Sequence, residues 1–84
     1  MQLTAEITLY PNQTDFIPPI DSFIARLNQY TDSIKVLTMP TATIVQGDYD
    51  EVMHMLTVEM KAHREAFGMG PFIVKFLAGY EALK

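Results

Sequence analysis

The sequence predicts an α+β sandwich: a four-stranded antiparallel sheet with two helices packed on one of its faces. Three observations carry that prediction. The apolar period alternates between two and about 3.6 in the order strand, helix, strand, strand, helix, strand. Only a few residues separate the second and third strands, which fits a hairpin turning around Pro40. The chain of 84 residues allows one core, so residues 1–84 are read as a single domain. Two strand-helix-strand units with right-handed crossovers around a central hairpin give the spatial order 4-1-3-2, the ferredoxin-like βαββαβ arrangement.

The first strand is QLTAEITLY, with Leu3, Ala5, Ile7 and Leu9 on one face and Gln2, Thr4, Glu6, Thr8 and Tyr10 on the other. Pro11-Asn12 ends it. Thr14 and Asp15 offer capping oxygens, and Pro18-Pro19 suits a first helical turn, where a missing amide donor costs nothing. The helix that follows carries Ile20, Phe23, Ile24 and Leu27 as its apolar stripe and stops near Gln29 or Tyr30. SIKVLTM reads as the second strand, halted by Pro40, and TATIVQG as the third. A long helix from Tyr49 to Phe67 has Tyr49, Val52, Met53, Leu56, Met60, His63 and Phe67 on its stripe, with Glu51, Glu59, Lys61 and Glu65 mostly elsewhere. Asp48 stands as its N-cap, Glu51 follows at capping-box spacing, and Asp50 meets the positive end of the helix dipole. Gly68 stops the helix, and PFIVKFLAG closes the fold as the fourth strand.

Composition narrows the function. A domain of this size buries only about 60 to 65% of the surface its unfolded form exposes, so pairing or a ligand is the expected source of extra stability. There is no cysteine, which removes disulfides, thiolate metal sites and a cysteine nucleophile together. Ten acidic against six basic residues give a net charge of −4, and no Lys/Arg run is present to neutralise a phosphate backbone. Nucleic acid is therefore a poor partner, and strands one and three also lack stacking aromatics for RNA. No apolar run approaches the ~20 residues that span a bilayer, and MQLTAEITLYP has neither a basic region nor an apolar core for export. The expectation is a cytoplasmic protein without a membrane partner.

With both helices on one sheet face, the other face is where function is sought. Thr4, Glu6, Thr8 and Tyr10 point there from the first strand, and Ile73, Lys75 and Leu77 from the fourth, with Phe72, Val74 and Phe76 turned inward. Glu6 and Lys75 then pair across neighbouring strands. In the third strand both registers contain apolar residues. The reading adopted sends Ala42, Ile44 and Gln46 outward and Thr43 and Val45 inward, and a one-residue slip exchanges the two sets. A face mixing Ile44, Ile73 and Leu77 with Glu6, Thr8 and Gln46 suits a dimer interface enclosing a small polar ligand. The competing view is that Glu6, Thr8 and Lys75 are ordinary surface residues and that Gln46 only flanks a turn.

Other candidates have simpler explanations. His63 lies on the apolar stripe and reads as a partly buried structural histidine; His54, nine residues away, gives neither a metal pair nor HExxH spacing. No metal site and no cofactor is expected. The methionines read as core filler, and Gly68 to Gly70 as helix stop plus turn rather than a phosphate loop. No serine has a histidine and an acid in a nucleophile setting. Val45-Gln46-Gly47 echoes the VQG of acylphosphatases, but that motif belongs between a first strand and first helix, before an arginine; here it leads into Asp48, Asp50 and Glu51, which repel an acyl phosphate.

The order of elements, the stretch Thr38 to Thr43, and Val45-Gln46-Gly47 running into Asp48 to Met53 carry a resemblance. The AEITLYP opening with Glu6, and KAHREAF around His63, extend it over essentially the whole chain. The sequence resembles the YkoF-like thiamine/hydroxymethylpyrimidine-binding domains. Their third strand reads as threonine, two branched residues, an acid and glycine, followed by D-x-x-x-V-M. Thr43, Ile44, Val45, Gln46 and Gly47 and then Asp48 to Met53 fill those places, with Gln46 standing for the acid.

The resemblance implies a domain that pairs through its open sheet, as a homodimer or a dimer of dimers, and binds thiamine or its pyrimidine half without transforming it. Glu6, Thr8, Thr43, Ile44, Gln46 and Lys75 are the ligand-binding candidates. An aminopyrimidine offers an amine donor and ring-nitrogen acceptors, which match a carboxylate or amide such as Glu6 or Gln46 and a hydroxyl such as Thr8. Ile44, Ile73 or Tyr10 would supply the apolar wall. A cationic thiazolium suits an acidic domain. The alternatives are a dimerisation or regulatory module without a small ligand and, less well supported, an acylphosphatase-like hydrolase.

Overall fold

The computed structural model describes residues 1–12, 14–15 and 17–83. Its elements are β1 (Gln2–Leu9), α1 (Ile17–Leu27) running into a 3-10 turn at Asn28–Tyr30, β2 (Lys35–Thr38), β3 (Thr43–Asp48), α2 (Tyr49–Phe67) and β4 (Phe72–Ala78). The residue before α1, Phe16, lies outside the described residues, and with it the immediate cap position of that helix.

The strands form one antiparallel sheet in the order β2-β3-β1-β4, the order that two right-handed crossovers and a central hairpin dictate. β1 is central. Its residues Ala5 and Ile7 lie opposite Val45 and Thr43 of β3 and opposite Phe76 and Val74 of β4. Because side chains alternate along each strand, this register puts Leu3, Ala5, Ile7, Thr43 and Val45 on the helix-covered face and Thr4, Glu6, Thr8, Ile44 and Gln46 on the other. The outward assignment of Ile44 and Gln46 is thus the correct register. The hairpin between β2 and β3 closes with Met39 N–H donating to the Ala42 carbonyl at 2.8 Å.

The core gathers Leu3, Ala5, Ile7 and Val45 from the sheet, Phe23 and Leu27 from α1, Ile34 from the loop after it, and Val52, Met55 and Leu56 from α2. Ile34 enters where Gly47 leaves space: a Cβ on Gly47 would stand 3.1 Å from Ile34 Cγ1 and 3.2 Å from the Ser33 carbonyl oxygen. A side chain at position 47 would require the loop at Ser33 and Ile34 to give by a few tenths of an ångström.

Two expectations about burial are corrected. The buried stripe of α2 is Val52, Met55, Leu56, Glu59 and His63, while Met53 is 37% exposed. The stripe is rotated because α2 faces α1 as well as the sheet, and Glu59 is drawn inward by partners on α1 and the turn after it. Phe76, expected in the core, is 47% exposed. It sits on edge strand β4, whereas α2 packs over β3 and β1 and leaves that end of the edge uncovered.

The Asp48 half of the expected α2 cap is formed. Asp48 Oδ2 accepts from the backbone N–H groups of Asp50 and Glu51 at 3.2 and 3.4 Å, satisfying two of the donors a helix start leaves open. Among the described residues, no helix is long and apolar enough to cross a membrane.

Candidate functional site

The strand registers arrange the open face as three rows. One end carries Lys35, Gln46, Thr4 and Leu77 side by side; the middle row is Leu37, Ile44, Glu6 and Lys75; beyond it Thr8 lies opposite Ile73. In the middle row Glu6 and Lys75 face each other as cross-strand partners with Lys75 Nζ 3.8 Å from Glu6 Oε2. Both side chains are well exposed, so the pair contributes little to stability and leaves the carboxylate accessible. Around it stand exposed apolar groups: Leu37 at 43%, Ile73 at 61% and Leu77 at 38%.

The first row is not open. After β4 the chain turns at Gly79 and crosses the sheet end, so that Thr4 and Gln46 are almost fully buried although they point away from the helices. Thr4 Oγ1 donates to the Tyr80 carbonyl at 2.6 Å and accepts from Ala82 N–H at 3.2 Å. Gln46 Oε1 accepts from Leu83 N–H at 2.5 Å, and Lys35 Nζ donates to the Leu83 carbonyl at 3.1 Å.

At the opposite end, beside the hairpin, lies a cavity of about 630 Å³ between the sheet and α1. Ile7 and Leu9 of β1 and Ile20 and Ile24 of α1 give it an apolar wall. Met39 and Thr41 of the hairpin close one side, and Asp21 sits at the rim as an exposed carboxylate. Two of the sequence candidates, Thr8 and Thr43, line this cavity. Thr8 Oγ1 donates to the Thr41 carbonyl at 3.3 Å, which ties the end of β1 to the hairpin.

The structure therefore divides the six candidates into three places. Thr8 and Thr43 belong to the cavity, Glu6, Ile44 and Lys75 to the middle of the open face, and Gln46 to the covered end. Sequence reasoning did not find Asp21 or the hairpin residues Met39 and Thr41 as cavity residues, because only the fold brings α1 over the hairpin. Val45-Gln46-Gly47 lies within β3, paired with Thr4 and Lys35 through Gln46, and does not form a phosphate loop.

Two buried polar groups lie elsewhere. Glu59, 3% exposed, accepts a hydrogen bond from Arg26 Nε and one from Tyr30 Oη at 2.6 Å. Burial pushes the Glu59 carboxyl up, but the hydrogen bonds from Arg26 and Tyr30 and the guanidinium charge outweigh it and hold the group below its ordinary value. Tyr30 is raised in turn, chiefly by donating to Glu59. This cluster ties α1 to α2. His63, 4% exposed, is surrounded by aromatic rings: Phe67 at 4.9 Å, Phe72 at 5.6 Å and Phe23 at 5.7 Å between centroids, the last two edge-on. Burial lowers its pKa, so it packs as a neutral ring. Among the described residues, no three His, Asp or Glu side chains converge as a metal site would require.

Comparison with known proteins gives structural likeness alone: no protein-family model and no curated protein matches this chain. Protein SP2199 from Streptococcus pneumoniae is similar with a TM-score of 0.85 and 22% identity, over 95% of this chain and 89% of that one. A Thermotoga maritima protein, TM0486, provisionally named for thiamine biosynthesis or salvage, is similar with a TM-score of 0.83 and 19% identity, over 98% and 86% of the two chains. A domain of unknown function, DUF77, from Bacillus cereus has a TM-score of 0.73 at 15% identity, over 92% and 75%. At such identities the likeness establishes the ferredoxin-like fold.

Proposed function

We propose that the chain is a non-enzymatic binder of thiamine or its hydroxymethylpyrimidine half and works as a homo-oligomer of the YkoF-like type. The observation that carries this reading is the apolar cavity of about 630 Å³ beside the hairpin, which takes in Thr8 and Thr43 and adjoins the half-apolar open face. Its volume lies within the ~300–1,000 Å³ of small-molecule sites. Ile20, Ile24 and Met39 offer the flat apolar contact an aromatic ring needs, and the threonine hydroxyls offer partners for ring nitrogens and an amine. Asp21, an exposed carboxylate at the rim, favours a thiazolium cation, and Glu6 adds negative charge from the open face. The thiamine-related name of the Thermotoga maritima neighbour agrees with the choice of ligand.

Within this reading Glu6→Ala weakens binding more than Lys75→Ala, because the carboxylate attracts the ligand and the ammonium only competes for that carboxylate. Calorimetric titration of both variants tests the placement; equal or reversed losses contradict it.

A second reading, an assembly module without a ligand, is favoured by Leu37, Ile73 and Leu77, whose exposure on one face fits burial against another copy. A structure of the assembly with two sheets packed tightly and the cavity closed would decide for it.

A further inference from the structure

The covered end of the open face behaves as an occupied binding site. Lys35 and Gln46 are direct cross-strand partners, and together they read both polar groups of one residue. Gln46 Oε1 takes the Leu83 N–H at 2.5 Å while Lys35 Nζ holds the Leu83 carbonyl at 3.1 Å. Thr4, the neighbour of Gln46 on β1, does the same for the preceding residues by accepting from Ala82 N–H and donating to the Tyr80 carbonyl. Three side chains on three adjacent strands thus present an acceptor beside a donor, and the chain's own backbone fills them. Buried polar side chains need such partners, since each left unsatisfied is costly.

The segment that fills them lies at the surface. Residues 79–82 are exposed, and Leu83 is the first that is even partly covered. Its backbone is bonded also at the turn itself, where Gly79 N–H donates to the Gln2 carbonyl at 2.7 Å and Tyr80 N–H to the Leu77 carbonyl at 3.4 Å. Gly79 has φ +78° and no atom within 4 Å of where its Cβ would be, so its role is conformational, a pivot between β4 and the crossing segment. Exposed segments open more readily than buried ones.

We propose that residues 80–83 are a displaceable strap that competes with a small ligand for Thr4, Lys35 and Gln46, the ligand presenting a hydrogen-bond donor next to an acceptor as an aminopyrimidine edge does. The inference rests on the small-ligand reading for the class of ligand only; it concerns a second site, at the other end of the sheet from the cavity, where Gln46 meets a ligand only when the strap is off. Strap and ligand exclude each other, so anything that loosens the strap tightens binding.

The test uses the full chain and its Gly79→Ala variant, which penalises the pivot without touching the site. Hydroxymethylpyrimidine and 4-aminopyrimidine are titrated while the Leu83 backbone amide and the Gln46 side-chain amide are followed by NMR and hydrogen exchange. The expected result is loss of Leu83 amide protection as the site saturates, a shift of the Gln46 amide, and several-fold tighter binding in Gly79→Ala. Binding to the wild type with Leu83 protection unchanged overturns the strap and leaves the ligand reading intact. Shifts at Gln46 in Gly79→Ala, with no binding to the wild type, support the strap and count against thiamine-type binding by the native chain. No shift at Gln46 in either protein overturns the proposal.

Discussion

Replacing Tyr30 by Phe removes one hydroxyl from the Glu59 cluster and little else, which makes it a clean probe of what joins α1 to α2. The carboxylate it serves is 3% exposed and has two side-chain donors, Arg26 Nε and Tyr30 Oη. A hydrogen bond to a charged group contributes about 1.5–3 kcal/mol, and burial of Glu59 keeps that contribution from being small. Tyr30→Phe should therefore cost about 2 kcal/mol. In a domain of this size 1 kcal/mol moves Tm by about 4–8 °C, so the melting point should fall by about 8–16 °C.

Acid adds an independent readout on the same group. Glu59 is held below its ordinary value in the folded chain, so the folded state binds its proton less readily than the unfolded state does. Its contribution is fully present above the unfolded value, near 4.3, and is lost as pH falls through the folded one. Urea unfolding at pH 7 and at steps down to about pH 3 measures both effects, with Glu59→Gln as the reference that cannot titrate. The wild type should lose its advantage over Glu59→Gln on acidification. A cost below about 0.5 kcal/mol for Tyr30→Phe, or parallel acid profiles for wild type and Glu59→Gln, refutes the assignment.

Three further outcomes follow from the structure. Asp48→Ala, which removes the acceptor for Asp50 and Glu51 N–H, should destabilise by about 1 kcal/mol, measured by urea unfolding. His63 is held below its ordinary value by burial, so folding disfavours its protonation; stability is full above the unfolded value near 6.5 and declines as pH drops through the folded one. That decline should be smaller in His63→Gln. If the open face joins copies, Ile73→Asp should convert the oligomer to monomer in light scattering; a wild type that is already monomeric rules that interface out.

The fold was legible because each strand and helix announces itself locally: the alternation in QLTAEITLY, the Asp48 cap, and Gly68, whose N–H closes α2 by donating to the Arg64 carbonyl. The Glu6–Lys75 pairing was equally readable, since topology alone makes β1 and β4 neighbours. What failed to show was long-range. Glu59 looks like a surface acid on any helical wheel, and only Arg26 and Tyr30, 33 and 29 residues earlier in the chain, turn it inward. Phe76 alternates correctly but falls where α2 does not reach. Gln46 was correctly placed on the outer face, yet its burial depends on Leu83, 37 residues on, and no pattern within either segment foretells that contact. Thr8 and Thr43 share a cavity only because α1 folds over the hairpin.

Calorimetric titration of the folded full chain with thiamine and with hydroxymethylpyrimidine tests the central claim most directly. Saturable binding well below millimolar, with neither compound altered afterwards, is the result the cavity and its polar rim predict. A folded protein that gives no heat of binding with either compound up to millimolar concentration would contradict it.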